Sequence, residues 1–161
     1  MTYDLHGPWD ALADLNAPLY TPAETSPQYK ISVDGAVNTW ISKGFPASEI
    51  LLGVPFYGYL YKSAGRANNG LYQPYGSAVS ISYDKIVASY LSLPGVLRFY
   101  HPQGNVPWLY ANSSFLSYDD ETSLRAKAQY ANAKGLAGVF VWELSQNKSG
   151  SLLGVLRQTL K

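Results

Sequence analysis

The chain has 161 residues, 47% of them hydrophobic and 14% charged, with a formal net charge of +1. That balance describes one folded domain with a real core and excludes a disordered chain. A charge this small, without blocks of like sign, argues against nucleic acid; no apolar run is long enough to cross a membrane, and the absence of cysteine removes disulfide and thiolate chemistry.

Met1-Thr-Tyr-Asp4 reads as the end of a buried strand, which Gly7-Pro8 breaks into a loop carrying Trp9. A tyrosine, a carboxylate and a tryptophan at a strand exit suggest a binding site more than a core. Residues 10–31 have turn chemistry and little periodicity, as in a long loop. Ser32 is suited to cap a helix, with Asp34 favoured in its first turn. Val33, Ala36, Val37, Trp40 and Ile41 then share one face, which places Trp40 in the core. Gly44 and Pro46 end the helix.

Ile50 to Tyr57 is a continuous apolar run, the pattern of a strand buried on both faces in a parallel sheet. Residues 58–117 interrupt the alternation of strand and helix. Gly70-Leu-Tyr-Gln, Val96 to Tyr100 and Pro107 to Tyr110 look strand-like, and Ser82 to Leu93 has helical spacing. About sixty residues is too long for a bare loop, so a small α+β insertion is expected. Trp108 and Tyr110 either line a wall of that unit or fill its own core. Asp119, Asp120 and Glu121 precede a helical stretch with Leu124, Ala128 and Ala131 on one face, and are read as capping acids. Gly135 ends that helix. Leu136 to Leu144 is a second buried strand, with Gly138, Phe140 and Trp142 on one face and Val139, Val141 and Glu143 on the other. Ser149 or Asn147 caps a last helix through Leu152, Leu153, Leu156 and Leu160. The element order is that of β/α repeats in a parallel sheet.

Two of these pieces, Met-Thr-Tyr-Asp and Val-Phe-Val-Trp-Glu-Leu-Ser, with an insertion between them, resemble glycoside hydrolase family 18, the chitinases. The run ending Phe56-Tyr57-Gly58 is similar to that family's seventh strand. The resemblance implies an α/β fold: the last three β/α units of a (β/α)8 barrel, which usually needs about 250 residues, carrying a small α+β insertion domain. Residues 1–57 would hold the sixth- and seventh-strand region, 58–117 the insertion, and 118–161 the seventh helix, eighth strand and eighth helix. The chain would then begin inside an active site, with more than half the barrel missing and its open edges prone to self-association.

In that family the substrate's own N-acetyl oxygen replaces the second carboxylate used by most glycosidases. By resemblance, Trp142 is the floor under the sugar, Tyr3 donates to the acetamide oxygen, and Asp4 bonds the sugar or its acetamide. Tyr57 and Phe140 shape the pocket, Met1 packs on the acetamide methyl, and Trp9 stacks the sugar on the leaving side. Many members carry an arginine where this chain has Tyr59. The family's acid is the glutamate of an Asp-x-x-Asp-x-Asp-x-Glu motif, and none of Glu24, Glu49, Glu121 and Glu143 ends such a motif here. No catalytic acid is therefore assigned, and Tyr3 and Asp4 are supporting groups. His6 and His101 stand alone without ligand spacing, so no metal is expected, and no glycine-rich nucleotide loop calls for a cofactor. The implied ligand is chitin or its oligosaccharides, met outside the cell. A chitin-binding protein without the acid, or a truncated product without its own function, are the rival readings.

Overall fold

The computed structural model describes residues 1–25 and 30–161, so part of the expected loop, 26–29, lies outside the described residues. In chain order the elements are helix α1 (Val33–Ser42), strands β1 (Leu51–Pro55), β2 (Tyr57–Lys62) and β3 (Ser77–Ser82), helix α2 (Tyr83–Ser89), strands β4 (Leu97–His101), β5 (Val106–Ala111) and β6 (Ser114–Ser117), helix α3 (Glu121–Ala133), strand β7 (Gly138–Trp142) and helix α4 (Ser151–Thr159). The fold is mixed α/β. β1 and β7 pair in parallel, with Leu51 opposite Gly138 and Pro55 opposite Trp142. The other strands form an antiparallel sheet in the order β3-β2-β6-β5-β4.

The two sheets meet at Phe56. The expected strand through Tyr57 is interrupted there: Phe56 N donates to Trp142 O at 2.8 Å, and Phe56 O accepts from Tyr83 N at 2.9 Å. The chain thus leaves the parallel pair and enters the antiparallel sheet across one residue. Leu52 and Val54 are fully buried, but Leu51 at the start of β1 is exposed, so burial on both faces does not reach the whole run. Gly58 is required at the crossing, because a Cβ there would stand 2.1 Å from the Ser117 carbonyl oxygen.

Two side-chain clusters fill the interior. One is mainly aliphatic and joins Val33, Leu52, Val54, Leu124 and Leu152 with Phe56. The other is rich in tyrosine and lies between the first loop and the antiparallel sheet, around Tyr3, Tyr57, Tyr59, Tyr61, Trp108 and Phe115. Trp108 therefore fills core, stacked on Phe99 at 4.9 Å, and Tyr110 packs partly buried beside it.

The caps explain where the helices begin. Ser32 Oγ accepts from Gly35 N at 3.1 Å, and Asp120 forms a reciprocal capping box with Ser123. The cap position of α4 is Gly150, at φ 72°, and not Asn147 or Ser149, whose side chains accept from first-turn N–H groups instead: Asn147 Oδ1 from Leu152 N at 2.9 Å and Ser149 Oγ from Ser151 N at 3.3 Å. Asp119 has a separate role: both its oxygens meet Lys127 Nζ, at 2.6 and 2.7 Å, deep in the interior.

Four expectations are corrected. Met1–Asp4 is not a strand: Thr2 Oγ1 donates to Gly53 O at 2.6 Å, but Asp4 turns at φ 55° and the backbone makes no ladder. Trp40 is 53% exposed, because α1 buries only Val33 and Val37, and Trp40 meets Phe45 edge-on at 4.8 Å. Gly70-Leu-Tyr-Gln is no strand, since Asn68, Asn69, Gly70 and Tyr72 all take positive φ, which an extended chain excludes. The Ser82–Leu93 helix is shorter than its pattern and stops at Ser89.

Candidate functional site

The site grows from the turn at Asp4. Asn16 holds that turn from below: its Oδ1 accepts from Asp4 N at 2.9 Å, and its carbonyl accepts from Leu5 N and His6 N. Asn16 N in turn donates to Ser117 Oγ at 2.7 Å, tying the loop to β6. The turn lifts the Asp4 side chain out into solvent, where Oδ1 accepts the Tyr57 hydroxyl at 2.5 Å and the Tyr59 hydroxyl at 2.8 Å.

Aromatic rings run on from this carboxylate in edge-to-face contacts. Trp9 meets Tyr59 at 5.8 Å, Tyr59 meets Tyr57 at 5.9 Å, Tyr57 meets Tyr3 at 6.2 Å, and Tyr3 meets Phe140 at 6.0 Å. Gly53 permits the last contact, because a Cβ there would lie 2.7 Å from Phe140 and 2.9 Å from Tyr3. Trp142, two residues beyond Phe140 on β7, is 54% exposed, and Trp9 is 59% exposed. The peptide bond after Trp142 is cis. Met1 stands well out in solvent, clear of these contacts.

The three tyrosines stay protonated. Burial pushes each hydroxyl's pKa up, and the Asp4 charge pushes it further. Each therefore keeps a proton to donate toward an oxygen, while its phenol oxygen can still accept. Tyr57 and Tyr59 spend that donor on Asp4. The Tyr3 hydroxyl is buried and has no partner among the described residues. A buried hydroxyl left unpaired costs about 1–3 kcal/mol, so this one is poised for an acceptor from a ligand or water.

The loop that carries Trp9 is pinned from two sides. The Tyr75 hydroxyl donates to Asp10 O at 2.7 Å and to Pro8 O at 3.0 Å. His6, expected to stand alone, is buried with Nδ1 3.1 Å from Asp10 Oδ2 and 3.6 Å from Asp14 Oδ2. His101 is not alone either: Nε2 lies 2.8 Å from Glu24 Oε1. Burial raises Asp14 to about 6, with His6 pulling the other way. Because the folded pKa is the higher one, the protonated carboxyl is favoured in the fold. Its contribution is full below the unfolded pKa near 4 and is lost as pH rises through about 6. Asp14→Asn keeps an acceptor for Leu15 N and cannot ionise. It should unfold less readily than the parent at pH 7, by up to about 3 kcal/mol, with the difference growing from pH 4 to 6. Denaturant titrations across that range check this, and a pH-independent difference would contradict it.

Among the described residues, no glutamate is hydrogen-bonded to this row of rings. Glu24 pairs with His101, and Glu49 lies in a single helical turn before β1. Glu121 accepts the Tyr83 hydroxyl at 2.8 Å, and Glu143 turns to Ser145. The structure thus joins Tyr3, Asp4, Trp9, Tyr57 and Phe140 through contacts and presents Trp142 at the end of the Phe140 face. It also adds Tyr59 and Asn16. Tyr59 was visible only as a departure from a pattern, and Asn16 had no signal in its loop.

The profile of Glycosyl hydrolases family 18 matches residues 1–147. Chitinase A1 of Niallia circulans is 35% identical over 99% of the chain, which spans 25% of that protein. Chitotriosidase-1 of Mus musculus is 34% identical over 89% of the chain and 32% of its own length. The solved family 18 N-acetylglucosaminidase from Paenibacillus barengoltzii superposes with a TM-score of 0.93 at 35% identity, covering 99% of the chain and 47% of that structure. The chain thus spans less than half the length of each of these relatives.

Proposed function

The chain belongs to glycosyl hydrolase family 18, and on that premise we propose that it supplies the substrate-holding side of a chitin-hydrolysing site without supplying the acid. β1 and β7 with α1, α3 and α4 are read as units of a (β/α)8 barrel, and the antiparallel sheet with α2 as a lobe inserted between them. The rim at the C-terminal ends of β1 and β7 is where a barrel places its chemistry.

Trp142 is the floor under the reacting sugar, and Tyr3 donates to the acetamide oxygen while that oxygen attacks the anomeric carbon. Asp4, fixed by Tyr57 and Tyr59, orients the sugar or its acetamide. Phe140 backs Tyr3, Met1 covers the acetamide methyl, and Trp9 stacks the leaving-side sugar. Protonation of the leaving oxygen needs a carboxylic acid within hydrogen-bond reach, and none of the glutamates here is placed for it. The polymeric substrate puts the reaction outside the cell.

The observation that carries this reading is the buried Tyr3 hydroxyl, unpartnered among the described residues, in a row of rings that begins at the exposed Trp9 and reaches Phe140. Calorimetric titration tests it. A tetramer of β-1,4-linked N-acetylglucosamine should bind saturably, and the glucose tetramer, which lacks the acetamide, should not. Equal binding of the two, or none, would contradict it.

A further inference from the structure

We propose that the subsite between Trp9 and Asp4 prefers an amino sugar whose amine is free and protonated, so that the chain selects chitin that is partly deacetylated on the leaving side. The inference rests on reading the site as one for β-1,4-linked amino sugars.

Asp4 is an exposed carboxylate whose two side-chain hydrogen bonds both fall on Oδ1, so that Oδ2 has no hydrogen bond among the described residues. Both donors are neutral hydroxyls, so neither offsets the negative charge. Among the described residues the carboxylates in ion pairs are Asp10, Asp14, Glu24, Asp34 and Asp119; Asp4 has no cationic side chain within 4.0 Å. The neighbouring hydroxyls register the same negative charge: after burial, Asp4 pushes the pKa of Tyr3, Tyr57 and Tyr59 up.

Trp9 adds a second attraction. Its ring is exposed and reaches Asp4 through one intermediate, since it touches the Tyr59 ring whose hydroxyl holds Oδ1. An indole face attracts a cation placed over it. A protonated amine between the two offers a positive charge and only donors, matching both a carboxylate and a ring face. An N-acetyl group at the same place is neutral and offers the anion a single N–H donor, a weaker partner than a charged ammonium with three.

The test compares two β-1,4-linked tetramers by calorimetry on the full chain. One is N-acetylated throughout, and the other carries free amines on its two reducing-end sugars. The second should bind about fivefold more tightly at low salt, as expected for an exposed ion pair assisted by a ring face. Asp4→Asn should abolish that preference, and raising the salt to about 0.5 M should shrink it. Equal or tighter binding of the fully acetylated tetramer, or a preference that survives Asp4→Asn, would overturn the inference and leave the site's reading intact. Binding of neither tetramer would overturn that reading, and this inference with it.

Discussion

Trp142→Ala should weaken binding of the N-acetylglucosamine tetramer by at least about tenfold, a loss of roughly 1.4 kcal/mol. Trp142 closes β7 and leaves more than half of its surface in water, whereas Val139 and Val141 pack into the aliphatic cluster on the other face. A large flat ring that the core does not use is available to a sugar's CH face, and aromatic side chains carry much of the energy of such contacts. Because most of the indole is exposed, its removal should lower unfolding free energy by only about 1 kcal/mol, well below the cost of truncating a buried tryptophan. Paired titration and denaturant curves separate the two effects. Unchanged binding would show that the sugar does not rest on Trp142.

A second large effect is expected far from the rim. Lys127→Ala should destabilise the fold by about 3–5 kcal/mol, because it strands a buried carboxylate. Lys127 is fully enclosed on α3 and Asp119 almost so, and among the described residues the only other side chain on that carboxylate is the Ser123 hydroxyl at 2.7 Å. Burial pulls the Lys127 ammonium's pKa down and the Asp119 charge holds it up, so the pair persists by mutual support. Set against the usual 5–15 kcal/mol of total stability, losing one partner leaves a marginal protein. The double variant Lys127→Met with Asp119→Leu should recover most of the loss, since neither charge remains to be compensated. Urea midpoints of the single and double variants decide the matter. A single variant within 1 kcal/mol of the parent would show that water reaches the pair.

The sequence made β1, β7, α3 and α4 legible through means that act locally. Leu52 and Val54 sit in an apolar run, Asp120 caps α3 and Asn147 accepts from a first-turn N–H of α4 within a few residues, and Gly135 at φ 65° can only stop a helix. Trp40 was misplaced because a helical stripe records which residues share a face, not whether anything covers it. Strands β2, β3 and β6 went unread. Tyr57–Lys62 puts tyrosines on one side and Gly58 and Leu60 on the other, while Ser77–Ser82 and Ser114–Ser117 are short and half polar. At the site, Tyr3 and Asp4 were visible because they are adjacent in a familiar motif. The grip of Asn16 on Asp4 and Ser117, across 101 residues in the second case, left no trace in either loop. The same holds for His6, whose partners Asp10 and Asp14 follow in a loop without any period.

This chain is expected to hold the sugar without protonating the bond to be broken. Incubating the purified chain with a fluorogenic chitobioside measures that directly. The expected result is no turnover above the blank, at concentrations where the N-acetylglucosamine tetramer binds. Turnover well above the blank that disappears in Asp4→Asn would contradict it, by showing that the carboxylate held between Tyr57 and Tyr59 serves as the acid.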